Sequence, residues 1–221
     1  NDLKQVKRKA VKKETQQGNL FGDVTTEEQG PLATSHENIE SQNKNYQVID
    51  NQDDLLILCK EIENKKAFCF DTETTGLDPH NALLVGMSVS FSAHQAYYLP
   101  AKETIDATHE FLLPLAKLLA DESILKVGQN LKYDIRVIKK YNIECAGEIF
   151  DTMVAHYLLY PERRHGIKIL SEEYLNYSPV KIEKLIGEKG KHQRTMDTVP
   201  LEIIKDYACE DADITLQLKN E

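Results

Sequence analysis

Ala67-Phe68-Cys69-Phe70-Asp71-Thr72-Glu73-Thr74-Thr75-Gly76 is the stretch that decides how this chain is read. Its first four residues are apolar and rich in aromatics, which predicts a short buried strand over 67–72 rather than a helix. Successive strand side chains point to opposite faces, so Asp71 and Glu73 project from one face, one pleat apart. Gly76 ends the strand and leaves both acids where a sheet opens to solvent. Two crowded carboxylates resist ionisation unless a cation joins them. Oxygen-only ligands favour a hard divalent ion such as Mg²⁺ or Mn²⁺. An isolated D-x-E is better explained by a turn cap at Asp71 and a solvated strand end at Glu73, so a site requires further acids.

The 221 residues suit one domain with an appendage. A formal net charge of −9 argues against a simple basic coat for nucleic acid. It leaves room for an enzyme whose metal-binding acids sit beside a local basic groove. Cys59, Cys69, Cys145 and Cys209 show no C-x-x-C spacing, which predicts reduced thiols in a cytosolic protein rather than a zinc site or a disulfide framework. No apolar run approaches a membrane span, and no signal-peptide core stands at the start. The chain opens on Asn1 and closes inside a helical pattern, so a piece of a longer protein is expected.

Residues 1–45 are polar, basic at the front and acidic afterwards, and are expected to form a flexible linker. The folded domain is expected over 46–221. Its predicted elements are a helix around Asp53–Ile62, the strand at 67–72, strands near 82–91 and 96–100, and a helix over 106–120 that Pro114 is expected to interrupt. A strand at 124–128, a helix from about 130, a strand at 148–151, and helices near 152–159, 166–176 and 200–219 follow. Strands first and then alternating strands and helices imply an α/β fold, a mixed central sheet flanked by helices.

Two more acidic elements lie downstream. In Gly128-Gln129-Asn130-Leu131-Lys132-Tyr133-Asp134, Asn130 is expected to cap a helix that begins at a strand end and carries Asp134 in its first turn. In Tyr207-Ala208-Cys209-Glu210-Asp211-Ala212-Asp213, Tyr207 and Asp211 share a helix face beside a stripe of Ile203, Ile204, Ala208, Ala212 and Leu216. An Asp beside a core stripe is unusual unless something pairs with it. Taken alone, each element also reads as an ordinary helix with surface acids.

D-x-E, then N-x₃-D, then Y-x₃-D, in this order, resembles the three motifs of the DnaQ-like 3′→5′ exonucleases, and the tyrosine marks the DEDD-y branch. FDTETTGLD, KVGQNLKYD, FDTM, GEKGKHQRT and YACEDADITLQL extend the likeness to the proofreading domain of bacterial DNA polymerase I (family A), over about residues 46–221. The resemblance implies a ribonuclease H-like fold and two-metal hydrolysis of the 3′-terminal phosphodiester, in DNA replication and repair. It implies that Asp71 bridges two Mg²⁺ or Mn²⁺ ions, that Glu73 and Asp211 hold the ion serving the attacking water, and that Asp134 serves the second. Tyr207, with a reference pKa near 10, is a poor base at pH 7 and is expected to orient the water. Nucleoside 5′-monophosphates are the expected product. The resemblance further implies a polymerase module after residue 221 and a 5′ nuclease module ahead of the linker, so this stretch should not itself polymerise. A cytoplasmic, nucleoid-associated bacterial setting follows from it.

Arg163, Arg164, Lys168, Lys181, Lys184, Lys189, Lys191 and Arg194 form the densest basic run of the folded part and would attract phosphates. By resemblance, Arg164 reaches a backbone phosphate, Gln129, Asn130 and Tyr133 line a single strand, and Leu77 wedges against the terminal bases. His165 reads as a loop histidine. Two rival functions stand beside this one: an RNA-trimming exonuclease of the ribonuclease D type, and a non-catalytic single-strand-binding module. Within the linker, Gln17-Gly18-Asn19-Leu20-Phe21 resembles the short peptides by which bacterial polymerases hold the sliding clamp, although Leu20 and Phe21 are expected sooner to pack back on the domain or on a neighbouring part of the parent protein.

Overall fold

The computed structural model describes residues 36–221. Six strands, β1 (Asn45–Val48), β2 (Ala67–Thr74), β3 (Leu84–Ser92), β4 (Gln95–Pro100), β5 (Leu125–Gly128) and β6 (Ile149–Asp151), form one sheet in the order β1-β4-β3-β2-β5-β6. β2, β3 and β4 make an antiparallel meander, whereas β1 joins β4 and β5 and β6 extend β2 in parallel. The decisive strand is thus central, and it alternates as its sequence requires. Phe68 and Phe70 enter the core built with α1 (Gln52–Lys65), α2 (Ile105–Ala120) and α3 (Leu131–Lys139). Cys69 faces the other way, against Ala212 and Leu216 of α7 (Leu201–Asn220). By the same period, Asp71 and Glu73 face α7.

α7 packs across β3, β2 and β4 on residues small enough for close approach: Ala208, Cys209 and Ala212 on the helix, Gly86, Ser88 and Ser90 on β3. The helix is therefore positioned by the sheet, and its acids inherit that precision. Ile203, expected in the helix's core stripe, is instead 50% exposed, because only Ile204 of that pair turns inward. α2 runs straight through Pro114. The carbonyl that loses its donor belongs to exposed Glu110, where water can serve it, and Phe111, Leu112, Leu115, Leu118 and Leu119 hold the helix by burial.

The expected boundary between linker and domain falls inside β1, a strand that the sequence reading did not separate. Packing onto the domain begins earlier still. Glu37 donates to Asn176 O at 3.0 Å and accepts from Ser178 N at 2.8 Å. These are backbone bonds, invisible to a reading of side-chain character. The Gln17–Phe21 peptide lies outside the described residues. Cys59, Cys69 and Cys209 are buried free thiols, and Cys145 is half-buried and also free. Among the described residues no helix is long and apolar enough to cross a membrane.

Candidate active site

The sheet and α7 bring Asp71, Glu73 and Asp211 together, with one carboxylate oxygen from each lying within 4.8 Å of the others. Burial and mutual repulsion set their protonation. Burial first, then the Asp211 charge, push the Asp71 carboxyl up to about 8, against a hydrogen bond from Thr72. Asp211 rises to about 7 through burial and then the Glu210 charge, partly offset by the Tyr207 hydroxyl. Glu73 stands well above the carboxylate range through burial, then the charges of Asp71, Asp211 and Asp134. Three acids that resist ionisation together form a cradle short of positive charge. An all-oxygen donor set of this kind fits a hard divalent cation.

Asp134 stands beside this trio, at the start of α3. Its Oδ1 accepts from Thr72 N at 3.1 Å and from Thr72 Oγ1 at 2.5 Å. The strand residue between Asp71 and Glu73, facing the opposite side, thus fixes the fourth acid. Burial, then the Asp71 charge, keep the Asp134 carboxyl well above its usual range. Tyr207, one turn before Asp211, has its phenol pushed far up by burial and then by the Asp211 and Glu73 charges. These causes favour the protonated, hydrogen-donating phenol.

The other acids of the α7 motif do structural work. Glu210 is buried and accepts from Tyr177 Oη at 2.6 Å and Val180 N at 2.8 Å. Asp213 is buried and accepts from Tyr46 Oη and His94 N, both at 2.8 Å. Each ties α7 to a different loop, which leaves Asp211 as the carboxylate turned to the site. The i, i+4 spacing from Tyr207 had singled out Asp211, but it could not show what holds Glu210 and Asp213.

Asn130 does not cap α3 with its side chain. It sits at φ 62°, ψ 41°, and the cap is Asp151, whose two oxygens accept from Asn130 N at 3.0 Å and Leu131 N at 2.9 Å. The same carboxylate accepts from Met153 N at 2.9 Å and caps α4 (Thr152–Leu159). One Asp at the end of β6 therefore starts two helices. The sequence signal was the Asp-Thr pair at a strand-to-helix junction. Asp151→Ala is expected to cost about 2–4 kcal/mol, two caps' worth, and to lower activity through the misplaced start of α3. Chemical denaturation of mutant and wild type checks it.

The residues expected to meet a strand of nucleic acid rim the same end of the sheet. The Tyr133 hydroxyl donates to Gly76 O at 2.6 Å and lies 2.6 Å from Thr74 Oγ1, pinning the turn that presents Leu77, which is 90% exposed. Gln129 is bound at both ends, by its donation to His165 O at 2.7 Å and by the Thr152 hydroxyl. Its amide is thereby committed to the fold. His165 Nδ1 meets His156 Nδ1 at 2.6 Å. Arg164 is exposed. The basic run is thinner than its sequence: Arg163 pairs with Glu173 at 2.6 Å, Lys168 with Glu172 at 3.6 Å, and Arg194 donates to Leu185 O. A cavity of about 480 Å³ lies beside Asp211 and Tyr207, with Lys168 and Lys181 in its wall.

Several solved structures share this architecture. Brucella melitensis NrnC bound to pGG has a TM-score of 0.61 at 24% identity, covering 81% of this chain and 79% of that one. Escherichia coli RNase D has a TM-score of 0.61 at 20% identity, covering 80% and 44%. These likenesses show that the fold is shared. The model of the 3′–5′ exonuclease family of DNA polymerase A matches residues 46–221, and the chain belongs to that family. It is 36% identical over 182 residues to DNA polymerase I of Pseudomonas aeruginosa, covering 78% of this chain, and 31% identical over 184 residues to that of Borreliella burgdorferi, covering 82%. It spans 20% of the length of either relative.

Proposed function

We propose that this domain removes nucleotides one at a time from the 3′ end of single-stranded or frayed DNA, as the proofreading part of a DNA polymerase I. The observation that carries the reading is the trio of Asp71, Glu73 and Asp211, delivered by a central strand and the helix packed on it. The relatives named DNA polymerase I support DNA as substrate, and with it a polymerase module elsewhere in the parent protein.

Asp71, Glu73, Asp134 and Asp211 would hold two divalent ions, Mg²⁺ or Mn²⁺. When bound, such ions activate water near neutral pH and stabilise charge on the leaving oxygen. The chain's own residues do the rest. Thr72 holds Asp134 so that its Oδ2 is the free oxygen. Tyr207, kept protonated, donates a hydrogen bond that orients the attacking water between itself and Asp211. Lys181 draws phosphates toward the cavity beside Asp211, and Arg164 meets the backbone further along. Asn130, Tyr133 and exposed Leu77 meet the last nucleotides by stacking and packing, which tolerates any base. The Gln17–Phe21 peptide, docking weakly on a sliding clamp, would raise the local concentration of the enzyme on DNA. The nucleoid is the corresponding cellular setting.

Tyr207→Phe is expected to lower turnover about 10-fold or more with single-strand affinity nearly unchanged, since one orienting hydrogen bond is lost while the ring still packs. Single-turnover rates beside binding isotherms check it, and equal rates remove Tyr207 from the mechanism.

RNA trimming is the second reading, favoured by the fold shared with E. coli RNase D. Parallel digestion of matched DNA and RNA oligonucleotides, with and without EDTA, decides among the readings. Faster loss of DNA supports proofreading and faster loss of RNA supports trimming. Binding without Mg²⁺-dependent digestion leaves a non-catalytic module.

A further inference from the structure

Glu73 differs from the other acids of the site. Asp134 is held by Thr72, and Asp211 faces the Tyr207 hydroxyl. Glu73 is buried among charges of its own sign with no hydrogen-bond partner among the described residues. A carboxylate meant to hold a cation is normally steered by a donor on its outer side. The sheet offers one.

β3 lies beside β2 with Ser88 across from Asp71 and Gly86 across from Glu73, and beside β4 with Tyr98 across from Ser88. These side chains share the face that α7 covers. Tyr98 is 1% exposed, packed against Ala208 and Cys209 of α7. Its ring does not stay over Ser88 but leans diagonally across Gly86. A Cβ built on Gly86 would lie 2.2 Å from the Tyr98 Oη and 2.3 Å from its Cζ. The hydroxyl therefore occupies the place of a side chain at position 86. The direct neighbour of that place on β2 is Glu73, whose Cβ would stand about 4.5–5.5 Å away, within the reach of a carboxylate arm. Burial, then the Glu73 charge, push the Tyr98 phenol up, so it remains a proton donor.

We propose that Tyr98 is a positioning residue for the metal site: its hydroxyl donates to the Glu73 carboxylate when that carboxylate turns to a divalent ion. Residue 86 is glycine on this account because any side chain there would displace the Tyr98 ring. The proposal deepens the metal-site reading above and rests on it.

Calorimetric titration of Mn²⁺ into the whole chain, with melting curves in EDTA, tests it on wild type, Tyr98→Phe and Gly86→Ala. Tyr98→Phe keeps the packed ring and loses only the donor. It is expected to bind Mn²⁺ about 10- to 100-fold more weakly, with an EDTA melting temperature close to wild type. Gly86→Ala is expected to weaken Mn²⁺ binding as well, and to melt lower, because the ring must move. Wild-type Mn²⁺ affinity in Tyr98→Phe overturns the proposal and leaves the site reading intact. A large fall in its EDTA melting temperature also overturns it, since the hydroxyl is then structural. Absence of Mn²⁺ binding by the wild type removes both.

Discussion

Asp71→Ala is expected to reduce hydrolysis by about 1,000-fold or more while leaving the metal-free protein at least as stable as wild type. The activity loss follows from the place of Asp71 in the cluster with Glu73 and Asp211. Several kcal/mol of transition-state stabilisation pass through ions held there, and each 1.4 kcal/mol lost is about tenfold in rate. The stability expectation runs against the usual cost of altering a buried residue. Asp71 is a half-buried carboxyl pressed against like charges, and its removal relieves repulsion that the hydrogen bond from Thr72 only partly offsets. Melting curves in EDTA check this half of the prediction. A large drop would mean that Asp71 has a structural role which outweighs the repulsion.

The second large effect is on pH. In EDTA the melting temperature is expected to fall as pH rises from 5 to 8, by about 4 °C or more for a domain of this size. The ordinary Asp value is 3.8, whereas the fold holds Asp71 at about 8 and Asp211 at about 7. Above about pH 4 the unfolded chain has released protons that the folded cluster retains, so each rise in pH favours unfolding until both groups ionise. Below pH 4 the penalty vanishes, and above 8 it is constant. Saturating Mg²⁺ is expected to flatten the profile by taking the place of the protons. A flat profile in EDTA between pH 5 and 8 would contradict the repulsive cluster.

These expectations rest on features of unequal visibility in the sequence. The strand period put Asp71 and Glu73 on one face, and the i, i+4 spacing put Tyr207 and Asp211 on another, because both are local rules of backbone geometry. Asn130 looked like a cap because caps are read from neighbours. The real cap, Asp151, is 20 residues away and reaches α3 only through the pairing of β5 with β6. The spacing from Tyr207 separated Asp211 from Glu210 and Asp213, but the structural work of those two acids depends on residues distant in sequence, Tyr177, Val180, Tyr46 and His94. The basic run promised more free charge than Arg163 and Lys168 retain: Glu173 reaches Arg163 from the next helix, α5 (Ile167–Tyr174), and Glu172 pairs with Lys168 one turn away within α5 itself. β1 is short and half exposed at the sheet edge, with no apolar run to announce it.

The central claim is that the acids of β2, α3 and α7 form a divalent-metal site that hydrolyses nucleic acid from its 3′ end. Incubation of the chain with a 5′-labelled single-stranded DNA in Mg²⁺ tests it most directly, beside the same strand with a blocked 3′ end and a reaction in EDTA. The account predicts a ladder that shortens one nucleotide at a time from the 3′ end, with release of nucleoside 5′-monophosphates, and no cutting of the blocked strand or in EDTA. Internal cleavage, release from the 5′ end, or digestion that persists in EDTA would contradict it.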